Sequence, residues 1–260
     1  MIKLVALDMD GTLLDSNKRA PEDFADWVKN HENIMTVLAS GRQYHTLERQ
    51  FGDLKGNALF VAENGAIVYR GDDVIYENSM DPDSVGPTLD TILKIKGAIP
   101  IMCGIESAYI AQASKEAMTE SAKYYARLKF VEDLHEYVRK DRFLKIAVFF
   151  AGRDAEEAYN SLPKLPDGVS ALLSGDRWID VANDSIGKGE AISKIRAKYD
   201  LKKEECMAFG DYLNDMTMIE ECGESYAMKN AHPDIKAAAK YVTEYDNDND
   251  GVMRVLRTVR

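Results

Sequence analysis

Apolar residues fall in two rhythms along this chain, and the change of rhythm marks its organisation. The run KLVAL (Lys3 to Leu7) is unbroken, and IMTVLAS ends at Ser40 in the same manner. Runs of this length without alternation are expected of strands covered on both faces of a parallel sheet. Between and after them, PEDFADWVKN reads as a helix with Pro21 near its first turn, and QYHTLERQF as another. ALFVAE supplies a third strand. ENGAIVYR and VIYEN read as a small hairpin around Gly71 and Asp72.

The texture changes near DPDSVGPT. A helix is expected from Val85 to Ile95, then short paired strands IPIMCGI and SAYIAQ, then a longer helix from Lys115 to Leu128. RFLKIAVFF is a strand, DAEEAYNSL a helix, and GVSALLSG with DRWIDVA an antiparallel pair. After Gly187 the first rhythm returns. KGEAISKIRAKY is helical, CMAFGD a buried strand, NDMTMIEEC a helix and ESYAM a strand. PDIKAAA, YVT and the tail from Gly251 read as helix, short strand and helix. An α/β chain interrupted by an α+β block is a parallel-sheet core, residues 1–80 and 187–260, carrying an inserted domain, residues 81–186.

Composition narrows the classes. The 260 residues are 45% hydrophobic and 30% charged, which is globular rather than disordered. The net charge of −11 repels nucleic acid and anionic membranes. A phosphorylated partner must therefore find a local cation. No apolar run approaches the roughly 20 residues that cross a bilayer. The opening MIKLVALDMD lacks the length and cleavage site of a signal peptide, so a cytoplasmic location is expected. Cys103, Cys206 and Cys222 form no C-x-x-C pair, and neither disulfide framework nor zinc site is implied.

The chemistry gathers at strand ends, where ligands of parallel sheets bind. Asp8-Met9-Asp10-Gly11-Thr12 follows the first strand, Ser40-Gly41-Arg42 the second, and Asp211 to Asp215 the strand CMAFG. Lys188 opens the helix after the inserted block. One such Asp is ordinarily a helix cap or turn residue. Two acids of a buried D-x-D-G-T repel each other unless a cation is present. A carboxylate attacking a phosphate dianion meets the same repulsion, which Mg²⁺ on oxygen ligands offsets. Asp8 and Asp211 are natural ligands, with Asp10 placed to move a proton. Lys188 supplies a compact positive charge, and Ser40, Thr12 and backbone N–H groups supply phosphate donors.

D-M-D-G-T-L, L-A-S-G-R, G-K-G-E-A-I and G-D-Y-L-N-D resemble, in order, the four motifs of the haloacid dehalogenase-like hydrolases. E-N-G-A (Glu63 to Ala66), Y-A-M-K-N-A (Tyr226 to Ala231) and D-G-V (Asp250 to Val252) are similar to extra signatures of the Cof-type phosphatase subgroup. The resemblance implies a Rossmann-like core with a C2-type cap that carries substrate specificity. It implies a Mg²⁺-dependent phosphatase with Asp8 as nucleophile, through an aspartyl-phosphate. Asp10 is then general acid and base and offers its backbone carbonyl to the metal. Asp211 ligates the metal and Asp215 holds metal-bound water. Ser40, Gly41, Thr12 and Lys188 bind the phosphoryl group, and Asn214 orients phosphate or Lys188. Arg42 and Asn64 are candidates for leaving-group contact. Asn230 is expected in the loop network of the site. Lys229 stands where the subgroup often has Gly, and is expected to face solvent.

Other patterns carry less. Asp246 to Gly251 imitates the start of a calcium loop, but its twelfth position is Arg257 rather than a bidentate Glu. Gly187-Lys188 fails as a P-loop, because Ala182 and Gly189 stand where Gly and Ser or Thr belong. His31, His45, His135 and His232 have no paired spacing and read as surface or helix-end residues. Trp178 and Tyr109 read as packing. Two other functions fit the same centre: a sugar phosphomutase, and a phospho-accepting receiver without turnover. A receiver keeps its acceptor Asp on a later strand, whereas the third strand here runs into Glu63-Asn64. The expected substrate is a small phosphorylated metabolite, with sugar phosphates foremost and nucleotide or cofactor phosphates also fitting. No motif marks an obligate protein partner.

Overall fold

A computed structural model describes residues 1–111, 114–152 and 155–259. The chain opens with β1 (Leu4–Asp8), α1 (Phe24–Asn30), β2 (Met35–Ala39) and α2 (Tyr44–Phe51). β3 (Ala58–Ala62), β4 (Ile67–Arg70) and β5 (Asp73–Glu77) follow. Every residue of β1 and β3 is buried, as strands covered on both faces require. Pro21 lies just before the first turn of α1. Its carbonyl accepts the Phe24 N–H and so fixes the chain's entry into the helix.

The next segment holds α3 (Pro82–Leu93), β6 (Ala98–Gly104), β7 (Ala108–Ala111), α4 (Lys115–Tyr124) and β8 (Leu128–Val131). It continues with β9 (Phe143–Phe150), α5 (Ala155–Asn160), β10 (Val169–Gly175) and β11 (Trp178–Asn183). Asp81 caps α3 by accepting the Asp83 N–H, and Ser114 caps α4 by accepting that of Ala117. The helix expected to reach Leu128 stops at Tyr124. Tyr125 turns extended and is buried, with its hydroxyl 3.4 Å from Cys103 Sγ. Leu128–Val131 then pairs in parallel with β7, so the sheet edge overrides helix propensity. Gln112 and Asp154, expected at a strand end and a helix start, lie outside the described residues.

The chain returns through α6 (Lys188–Lys198), β12 (Cys206–Gly210), α7 (Met216–Glu221), β13 (Glu224–Ala227), α8 (Pro233–Ala238), β14 (Tyr241–Val242) and α9 (Gly251–Leu256). Two compact units result. Met1–Glu77 with Gly187–Arg260 forms one, and Asn78–Ile186 the other. Among the described residues the first carries a sheet in the order β14-β13-β12-β1-β2-β3-β4-β5. It is parallel from β14 to β3 and closed by the antiparallel β4–β5 hairpin. The second unit carries the order β10-β11-β9-β6-β7-β8, with one face packed on α3 and α5. Tyr109 and Trp178 are packing residues there, Tyr109 against Phe143 and Trp178 against Phe149. No helix of the described residues is long and apolar enough to cross a membrane.

In the first sheet β1 lies between β12 and β2, and the strand order reverses there. That reversal opens a crevice beyond the carboxyl ends of the strands. Asp8 pairs beside Ala39, and Leu7 beside Phe209, so the segments after β1, β2 and β12 emerge at one rim.

Gly65, just after β3, packs at this rim against the residue before α6. Its φ is +101°, and a Cβ there would overlap the carbonyl oxygen of Gly187 at the start of α6. Gly65→Ala should lose about 2–5 kcal/mol of stability, combining backbone strain and overpacking. Gly56→Ala, with nothing within 4 Å of the added carbon, should change it by less than about 0.5 kcal/mol. Urea unfolding of both variants measures this, and equal stability in the two would contradict it.

Candidate active site

Asp8 ends β1, is buried, and points a carboxylate at the ammonium of Lys188. Lys188 is the first residue of α6 and is only 1% exposed. Its Nζ donates to Asp8 Oδ1 at 2.5 Å and to Asp215 Oδ1 at 2.6 Å. Asp215 is fully buried, and its other oxygen accepts the N–H groups of Asp211 (2.9 Å) and Tyr212 (3.2 Å). One carboxylate thus fixes both the lysine and the loop after β12. Thr12 Oγ1 donates to Asp211 Oδ1 at 3.3 Å. A Cβ on Gly11 (φ +83°) would overlap Asp211 Oδ2, so glycine is what lets the two loops meet. Asn230 Nδ2 donates to the Gly11 carbonyl at 2.8 Å.

Asp10 faces a different set of groups. Arg42 holds it bidentately, with Nε 2.9 Å from Oδ2 and Nη2 on Oδ1, and Lys18 Nζ donates to Oδ1 at 2.8 Å. Gln50 links the Arg42 guanidinium to the Lys18 backbone. It accepts from Arg42 Nη1 at 2.9 Å and donates to the Lys18 carbonyl at 2.9 Å. Ser40 is buried beyond β2, and its hydroxyl accepts the Arg42 N–H at 3.2 Å, leaving its own hydrogen to donate. Asn64 Oδ1 lies beside Gly41 and accepts from Asn214 Nδ2 at 3.5 Å.

The structure therefore brings together Asp8, Asp211, Asp215, Lys188 and Thr12. It sets Asp10 with Arg42, and Asn64 with Gly41 and Asn214. The Arg42 guanidinium engages Asp10 and Gln50. Lys229 is exposed, and its N–H donates to Thr243. His45 lies at the start of α2, with its side chain only 9% exposed beside Glu48. Lys18 and Gln50 escaped the sequence reading. A weak signal for Lys18 exists in Asp15-Ser16-Asn17, a turn-forming cluster. Asp15 ties that turn by accepting the N–H groups of Asn17 and Arg19, with Lys18 at φ +62°. The chain doubles back and returns Lys18 to Asp10.

The family model for haloacid dehalogenase-like hydrolases matches residues 5–256. The chain belongs to that family. It is 30% identical over 264 residues to the 5-amino-6-(5-phospho-D-ribitylamino)uracil phosphatase YbjI of Escherichia coli (strain K12), covering 99% of this chain and 96% of YbjI. The solved structure of SMU.1108c from Streptococcus mutans UA159 superposes with a TM-score of 0.88 at 26% identity, covering 99% of this chain and 98% of that one. TM0651 from Thermotoga maritima superposes at 0.87 and 26% identity, covering 100% and 98%. The α/β core with its parallel sheet is the fold of these proteins, and this haloacid dehalogenase-like hydrolase is an enzyme of the phosphatase kind.

Carboxylate oxygens of Asp8, Asp211 and Asp215 lie within 4.8 Å of one another, with one ammonium among them. Burial, then the charge of Asp215, push the Asp8 carboxyl up to about 8 against the pull of Lys188. The same two causes push Asp211 up to about 6. Burial works against the charge on Lys188, but Asp215 and Asp8 outweigh it and raise its pKa. Burial alone would raise Asp10 as well, but Arg42 and Lys18 hold it below the usual carboxylate range. A cluster that holds protons for lack of positive charge is one whose donor set fits a hard divalent cation.

These shifts fix a pH dependence. Between about pH 4 and 8, folded Asp8 retains a proton that the unfolded chain has released, so stability falls as pH rises. Asp211 acts likewise up to about pH 6. In a chelating buffer the thermal midpoint should drop from pH 5 to pH 9, and Asp8→Asn should make the slope shallower. A midpoint that climbs over that range contradicts the assigned shifts.

Proposed function

We propose that this enzyme is a Mg²⁺-dependent phosphatase of small phosphorylated metabolites, working through an aspartyl-phosphate on Asp8. The observation that carries this reading is the Lys188 ammonium bonded at once to Asp8 and Asp215, beside Asp211. Asp8 and Asp211 with the Asp10 carbonyl would hold the metal, and Asp215, whose oxygens are occupied by Lys188 and two backbone N–H groups, would reach it through water. When bound, Mg²⁺ offsets the repulsion between carboxylate and phosphate and draws both to one place.

The remaining work falls to this chain's own side chains. Lys188, the Ser40 hydroxyl, Thr12 and the Gly41 backbone bind the phosphoryl oxygens. An oxygen of Asp8 forms a bond to phosphorus while the bond to the leaving oxygen breaks. Asp10 gives that oxygen a proton, then takes one from the water that breaks the Asp8–phosphate bond and releases inorganic phosphate. Protonating Asp10 requires Arg42 and Lys18 to loosen their hold. Residues 78–186 would supply specificity as a cap.

The substrate class rests on the relative. Its substrate is the primary phosphate ester of an open-chain ribityl group, close in chemistry to a sugar phosphate. We assign this chain to phosphate esters of sugars and polyols, with 5-amino-6-(5-phospho-D-ribitylamino)uracil in the first panel to be assayed.

Replacing Asp8 by Asn should lower phosphate release at least about a thousandfold, some 4 kcal/mol of barrier, with the circular dichroism spectrum unchanged. Release of free phosphate without an activating bisphosphate separates hydrolysis from mutase chemistry. Wild-type rates in Asp8→Asn would remove Asp8 as nucleophile.

A further inference from the structure

The turn after β3 is bent in an unusual way. Glu63 and Asn64 have φ of +50° and +57°, and Gly65 follows at +101°. Two adjacent non-glycine residues in the left-handed region are costly, at about 1–3 kcal/mol for each strained position, with Asn the more tolerant. Such strain persists only where neighbouring structure over-determines it.

Here the neighbours are the segments proposed to hold phosphate. The Asn64 N–H donates to the Ser40 carbonyl at 3.0 Å, and the Glu63 N–H donates to the Arg42 carbonyl at 3.0 Å. Because a peptide unit is planar, holding the Ser40 carbonyl also sets the direction of the Gly41 N–H on its far side. The Asn64 side chain lies against Gly41, where a Cβ would stand 2.9 Å from Oδ1, and the same oxygen accepts from Asn214. Gly65 abuts the Gly187 carbonyl, one residue before Lys188. One turn thus touches the segments carrying Ser40, Asn214 and Lys188.

We infer that Asn64 is a positioning residue for the phosphoryl group, not a contact for the leaving group. Its left-handed backbone and its amide together lock the Ser40–Gly41 peptide and Asn214 into one cradle, and the Gly65 that follows it meets the start of α6. Misplacing such donors by about 1 Å costs up to about a hundredfold in rate. This inference rests on the phosphatase reading above, and its test includes a measurement that does not need turnover.

Three variants separate backbone from side chain. Asn64→Gly keeps the left-handed backbone and removes the amide, Asn64→Ala opposes both, and Asn64→Asp keeps an acceptor and tolerates the conformation. Two readouts are taken: kcat/KM for acetyl phosphate, p-nitrophenyl phosphate and a sugar phosphate, and the affinity for inorganic phosphate with Mg²⁺ by calorimetry. Asn64→Gly should lower kcat/KM about tenfold, equally for the three substrates, and weaken phosphate binding by a similar factor. Asn64→Ala should lose more, and Asn64→Asp should stay within about threefold of wild type. Losses that differ more than about fivefold among leaving groups, with phosphate affinity unchanged, would overturn the inference in favour of leaving-group contact. So would unchanged kinetics in Asn64→Gly, which decides the matter if Asn64→Ala does not fold. Should wild type hydrolyse none of the substrates, the phosphatase reading fails by itself. Phosphate affinity in wild type and Asn64→Gly still judges the cradle: a weakened variant supports it, and equal or absent binding overturns it.

Discussion

A single buried ammonium holds this site together. Lys188 is sealed from solvent and reaches Asp8 on one side and Asp215 on the other. Burying the lysine alone would be strongly unfavourable, and so would burying either acid. Removing one partner of such a group typically costs about 3–5 kcal/mol, whereas exposed ion pairs contribute about 0–1. The surrounding backbone is shaped to keep the group closed. Gly189 donates its N–H to Thr217, and a Cβ at Gly189 would overlap the Thr217 carbonyl, so α6 and α7 approach closely. Asp215 passes the constraint onward to the Asp211 loop through two backbone N–H groups.

The site is divided into two electrostatic compartments. Around Asp8, carboxylates outnumber cations, and protons are retained. Around Asp10, Arg42 and Lys18 outweigh burial, and the proton is shed. Carboxyl groups two residues apart are thus pushed in opposite directions, Asp8 up by burial and the charge of Asp215, Asp10 down by Arg42 and Lys18. The first compartment calls for a cation, and the second holds one of its own in each of two side chains. Gln50 ties the Arg42 side chain to the Lys18 backbone, so both partners of Asp10 are held at the same turn.

Much of this was legible in the chain. The strand ends that carry Asp8, Ser40 and Asp211 follow from unbroken apolar runs, and the four motifs name their residues. The limits were physical. The segment Leu128–Val131 follows a good helix and became a strand because β7 offered an unpaired edge, which no local window records. Lys18 reaches Asp10 through a left-handed residue in a tight turn, a conformation its own residue type does not announce. The bidentate hold of Arg42 on Asp10 joins residues 32 apart in sequence, and the closeness of Gly11 to Asp211 spans 200. Such pairings are set by topology, and the sequence alone marks only their ends.

The most direct test is chemical trapping of the enzyme during turnover. The enzyme is mixed with Mg²⁺ and a sugar phosphate, quenched in acid within milliseconds, digested and analysed by mass spectrometry. One phosphoryl group, labile to hydroxylamine, should appear on the peptide carrying Asp8 and be absent from Asp8→Asn. Steady phosphate release with no phosphoryl group on that peptide, or with the group on another residue, would contradict the account.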